Sequence, residues 1–92
     1  VAATRRVYEE SPREPRTMRD HAFHVMVFGT INWRAGNRKT ACTHWTQART
    51  MFRSLKEAGS LTPFDETTQL GLLNQNLEVC AGDKPVSAIR FY

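Results

Sequence analysis

The run Ala41-Cys42-Thr43-His44-Trp45-Thr46-Gln47-Ala48-Arg49-Thr50-Met51-Phe52-Arg53-Ser54-Leu55 decides the fold class. Ala41, Trp45, Ala48, Phe52 and Leu55 are spaced 4, 3, 4 and 3 residues apart. With ~3.6 residues per helical turn, that spacing puts all five on one face of a helix. Thr46, Arg49, Arg53 and Lys56 take the opposite side as a solvated face, and Ala58-Gly59 ends the element.

Upstream, Gly36-Asn37 closes one helix and opens the next. Glycine is the usual left-handed residue after a helix, and asparagine is a strong N-cap. So short a connection makes the two helices antiparallel neighbours. The preceding run, Ala22 to Trp33, is apolar nearly all round and is expected to be the most buried helix. Thr17 and Asp20 read as its capping box. The β-branched Val25, Val27 and Ile31 allow a strand instead, but the cap and the length favour a helix. Before it, Pro12 and Pro15 cannot sit inside a helix and predict a linker or corner. Val1 to Glu10 reads as helix, and the start at Val1 rather than Met suggests a piece of a longer polypeptide.

Downstream, Thr62 is a cap, Pro63 sits at the first helical position, and Asp65 completes a capping-box variant. Leu70, Leu73, Leu77 and Cys80 follow at 3, 4 and 3 on one face, and Gly82 is the stop. Gly71 inside this helix suggests a close helix–helix contact. The segment Asp83 to Tyr92 is open between a strand, an extended arm over the helices and a tag remnant. The expected organisation is all-α: the end of a preceding helix and a proline-rich corner (1–16), an antiparallel hairpin (17–58), a third, capping helix (60–82) and an extended tail (83–92).

Composition bounds the function. The 92 residues are 40% hydrophobic and 24% charged, which fits one globular domain with a modest core. The net charge of +4 is spread along the chain, so nucleic acid is an unfavoured partner and an acidic protein a better one. No apolar run approaches a membrane span, and no signal-peptide pattern appears. The two cysteines, Cys42 and Cys80, are too few and too far apart for a disulfide framework or a four-ligand zinc site. They read as small buried or half-buried residues in a reducing, cytoplasmic setting. His21, His24 and His44 match no zinc signature. No residue pattern activates a thiol, pairs catalytic carboxylates or builds a phosphate loop, so no enzyme and no cofactor is expected.

From Val25 to Ala48 the spacing resembles the tetratricopeptide repeat. Gly29 to Ala41 is twelve residues and Ala41 to Ala48 is seven, as in that family's pattern. The resemblance assigns packing roles to Val25, Phe28, Gly29, Ala41, Trp45, Ala48, Phe52 and Leu55. Asn32 stands where the family usually has tyrosine, with Trp33 adjacent, and Arg53 where it often has proline. The longer run from Ala41 to Cys80 is similar to the terminal repeat on some large bacterial signalling proteins. Repeats of this kind imply a non-catalytic scaffold or protein-interaction module. The resemblance places partner contacts on the first helix and turn, at His24, Asn32, Arg34, Asn37 and Arg38. Two other readings stand beside it. One is a capping or oligomerisation element with a homo-oligomer as its product. The other is a small basic nucleic-acid-binding domain, for which Arg34, Arg38, Lys39, Arg49, Arg53 and Lys56 would supply the patch.

Overall fold

The computed structural model describes residues 15–91 and is all-α. Helix α1 spans Pro15–Arg34 and α2 spans Arg38–Glu57. A third helix, α3, is built of three consecutive pieces: an α-turn Pro63–Asp65, a π-helical turn Glu66–Leu70 and an α-helix Gly71–Cys80. A 3-10 turn, Val86–Ala88, follows. The expected helix over residues 1–10 and the Pro12 corner lie outside the described residues.

Helices α1 and α2 form the antiparallel hairpin. The turn is tight because Gly36 takes φ +88°, which a residue with a Cβ rarely adopts. Asn37 holds the N-cap position, but its side chain makes no capping bond; its carbonyl accepts the first helical bond from the Ala41 N–H. The start of α1 differs from expectation. The helix opens at Pro15, where a missing N–H costs nothing, so Thr17 lies inside the first turn and cannot be the cap.

The predicted face of α2 is the centre of the core: Ala41, Trp45, Ala48, Phe52 and Leu55 are all buried. From α1 they meet Ala22, Val25 and Met26, and from α3 Leu70, Leu72, Leu73 and Leu77. The closest approach of the hairpin is at Gly29. A Cβ there would lie 2.6 Å from the Trp45 ring and 3.2 Å from the Ala41 carbonyl oxygen. Trp45 turns its indole N–H onto the Met26 carbonyl at 3.2 Å, so a fully buried donor is satisfied. Trp33 stacks on the same indole at 5.5 Å.

Two packing expectations need correction. Phe28 is not in the core: it is 38% exposed and meets His44 edge-on at 4.8 Å. An all-round apolar helix does not announce which side faces its partner. Gly71 marks no close contact, since a Cβ there would meet nothing within 4 Å.

The cap of α3 forms as the sequence indicates, with the Asp65 N–H donating to Thr62 Oγ1 at 3.1 Å. The Asp65 carboxylate goes elsewhere. It is buried and takes a two-pronged bond from Arg19 of α1, at 2.6 Å from Nε and 3.1 Å from Nη2. That grip holds the carboxyl below the usual carboxylate range, and burial opposes it only in part. The pair ties the start of α3 to the start of α1. At the other end, Cys42 of α2 and Cys80 of α3 form a disulfide across 38 residues. The expectation of two separate thiols is therefore wrong. Sequence separation says nothing about the distance between one helix's first turn and another's last. Bonds of this kind persist in oxidising surroundings, which removes the cysteine argument for a reducing compartment.

Candidate protein-interaction surface

The sequence-predicted contact residues fall into two places. Asn32, Arg34, Asn37 and Arg38 gather at the turn between α1 and α2. His24 lies eight residues before Asn32 on the exposed outer side of α1, about 12 Å away along the helix axis.

At the turn, several polar groups are already committed. Asn32 donates to the Phe28 carbonyl at 2.9 Å, and Asn37 reaches the Asn32 side-chain oxygen at 3.5 Å. The Arg38 guanidinium lies 4.9 Å from the centre of the Trp33 ring, and the Arg34 guanidinium 4.4 Å from that of Phe91. Each ring attracts the cation through its negative face. The turn thus presents two guanidinium groups held in place by aromatic platforms.

The basic set continues along α2. Lys39 and Arg49 line the edge of α2 that borders α3, the charge of Arg53 is felt at Arg49, and none of the three forms an ion pair among the described residues. Lys56, one turn further, is paired with Glu66 at 2.7 Å. The field of the unpaired group shows at Arg49. Partial burial and the like charge of Arg53 lower its pKa from the usual arginine value. It remains a cation at neutral pH.

Between this edge and the end of α3 lies an open cleft of about 470 Å³. Lys39 and Arg49 stand on its rim. Thr43, Thr46, Leu77, Ala81 and the Cys42–Cys80 pair line it. The threonine hydroxyl protons are spent within α2, on the Lys39 and Cys42 carbonyls, at 3.1 and 2.8 Å. Their oxygens can still accept. The cleft therefore joins two cations to threonine oxygens, the cystine and a small apolar patch of Leu77 and Ala81.

Sequence reasoning had grouped Lys39, Arg49 and Arg53 as a basic patch but could not see the cleft, because its opposite wall depends on the disulfide. Among the described residues no three of His, Cys, Asp and Glu come together, and no helix is long and apolar enough to cross a membrane. The chain matches no family model, no curated protein and no solved structure.

Proposed function

We propose that this chain is a non-catalytic protein-interaction module and that its basic edge, at the cleft between α2 and α3, takes an acidic segment of a partner protein. The observation that carries this reading is that Lys39 and Arg49, neither ion-paired among the described residues, line one cleft, with the charge of Arg53 felt at Arg49. Surface cations without carboxylate neighbours raise the local concentration of acidic partners and speed their capture. Lys39 and Arg49 are ten residues apart on one helix, so about 15 Å separates their Cα atoms. An extended peptide would meet both with carboxylates four or five residues apart.

Nucleic acid fits less well. The threonine hydroxyls are not free to donate, and the core-facing side of α2 is buried from Ala41 to Leu55. In a reducing cytoplasm, the setting expected from the sequence, the cystine floor would have to resist the thiol pool. The repeat-type hairpin remains part of this proposal, supported by the close approach of Gly29 to Trp45 and Ala41. A second reading, an element that stacks on a neighbouring repeat or copy, is favoured by the exposure of Phe28 (38%) and Ile31 (55%) on α1.

The test is fluorescence anisotropy with a labelled decapeptide carrying two Asp-Glu pairs set four residues apart. We expect saturable binding that weakens with salt and falls at least about tenfold in the Lys39→Glu/Arg49→Glu variant. Stronger binding of a random-sequence DNA duplex at the same salt would shift the reading to nucleic acid. No binding of either probe at low salt would remove the basic edge as a contact surface.

A further inference from the structure

The residues after α3 turn back and lie along it, and the way they are held is specific. Gln75 Nε2 donates to the Ala88 carbonyl at 2.8 Å. Asn76 grips Arg90 at both main-chain atoms, donating through Nδ2 to its carbonyl and accepting at Oδ1 from its N–H, each at 2.8 Å. All three bonds fall on backbone atoms, at Ala88 where the 3-10 turn ends and at Arg90 beyond it, so they read the path of the main chain and no particular side chain. Asn76 is fully buried on α3, where an unsatisfied amide would be costly.

Side-chain contacts fill the alternate positions. Ile89, between the two gripped residues, packs against the core. Phe91, two residues further, lies under the Arg34 guanidinium. Arg90 and Phe91 also border a cleft of about 530 Å³, with Thr67, Thr68, Gly71 and Leu72 of α3. The connector Ala81–Pro85 is exposed throughout, so the segment can leave its seat without unwinding α3. Main-chain bonds for affinity and alternate side-chain pockets for selectivity are the division of labour of extended-peptide recognition.

We infer that the groove along α3, closed at one end by Arg34, is a second peptide-binding site. Residues 86–91, a 3-10 turn leading into extended Ile89, occupy it in cis, in the place of a partner's segment. The partner segment carries an aliphatic residue and, two positions on, an aromatic one, with the backbone between them held by Asn76. This site is separate from the basic edge of α2 and does not depend on it.

The experiment is an anisotropy titration of a labelled heptapeptide with the sequence of residues 85–91. It is added to the full chain, to the Phe91→Ala variant and to the Ile89→Ala/Phe91→Ala variant, with far-UV circular dichroism on each. An attached segment competes at an effective concentration in the millimolar range, and apparent affinity falls in proportion to the fraction of grooves that are open. Weakening the attached segment should therefore tighten binding of the added peptide. We expect at least about tenfold tighter binding to the double variant than to the wild-type chain, with Phe91→Ala between them. Adding Asn76→Ala to either variant should abolish it. A folded Phe91→Ala chain that binds the peptide no better than wild type, or not at all at about 1 mM, would make residues 86–91 a fixed strap and overturn the inference. Phe91→Ala keeps that outcome readable if the double variant does not fold, because its ring is 41% exposed and meets Arg34 at the surface.

Discussion

A methyl group at position 29 would sit 2.6 Å from both Cδ1 and Nε1 of Trp45 and 3.2 Å from the Ala41 carbonyl oxygen. Non-bonded carbon atoms rest at ~3.5–4.0 Å, so Gly29→Ala asks the indole to retreat by about 1 Å. It has nowhere to go. Trp45 is fully buried, stacked on Trp33 and bonded to the Met26 carbonyl. Overpacking of this kind costs about 1–3 kcal/mol, and loss of the indole hydrogen bond adds about 1 kcal/mol. The better helix propensity of alanine returns about 1 kcal/mol. The net loss is about 1–3 kcal/mol, a fall in thermal midpoint of roughly 5–20 °C for a domain of this size. Gly71→Ala is the internal control. Its Cβ would meet nothing within 4 Å, so only propensity acts, and a gain of about 0.5–1 kcal/mol is expected. Urea and thermal unfolding, followed by tryptophan fluorescence and far-UV circular dichroism, measure both. If Gly29→Ala were as stable as the wild-type chain, or moved in the same direction as Gly71→Ala, the close approach of α1 and α2 would not be as described.

Asp65 gives a pH prediction. Its carboxyl is held below the usual range, chiefly by the hydrogen bond from Arg19, so its contribution is complete above the ordinary carboxylate value of about 4. The contribution is lost as the pH falls through the lower folded-state value. Asp65→Asn should cost about 1–3 kcal/mol at neutral pH, a modest figure for a buried pair because the Arg19 side chain is 45% exposed and can be rehydrated. Denaturant titrations at pH 7 and pH 3 should show the gap between variant and wild type closing in acid, and a constant gap would count against the pair. Reduction of the disulfide by dithiothreitol should lower stability by about 3 kcal/mol, since the bond closes a long loop in the unfolded chain. The Cys42→Ser/Cys80→Ser variant should start lower by the same amount and ignore the reductant; an unchanged wild-type midpoint on reduction would contradict this.

Helix α2 was legible because its five core residues share one narrow stripe and its other faces are polar. The same applies to Thr62-Pro63, where capping chemistry is local and belongs to consecutive residues. Gly29 was legible only through the spacing that links it to Ala41 and Trp45. What escaped was whatever depends on how the elements meet. Phe28 and Val25 look alike in a helix apolar on every side, yet one is exposed and the other buried. Asp65 reads as a helix-end charge until Arg19 is brought across from α1. Asn76 and Gln69 are buried, which no pattern in the sequence signals. The π-helical turn Glu66–Leu70 adds to the difficulty, because its extra residue per turn shifts the register on which a 3.6-residue stripe is counted. The turn cluster of Arg34, Arg38, Asn32 and Asn37 was anticipated from the sequence. Its aromatic platforms and the groove along α3 were not, since Phe91 and Asn76 meet their partners only after the chain folds back.

The cystine also decides how the chain responds to being pulled. A load applied at the two ends runs from α1 to Cys42, crosses the sulfur bridge to Cys80 and leaves through the segment that follows α3. The 38-residue span between the cysteines carries none of it, so most of α2 and all of α3 are mechanically silent. Stretching can peel α1 from the hairpin and strip residues 86–91 from their groove, but the extension stops about 130 Å short of the fully reduced length. Under tension the contacts of α1 and of residues 86–91 are disturbed first, while the cleft bordered by the disulfide keeps its covalent frame.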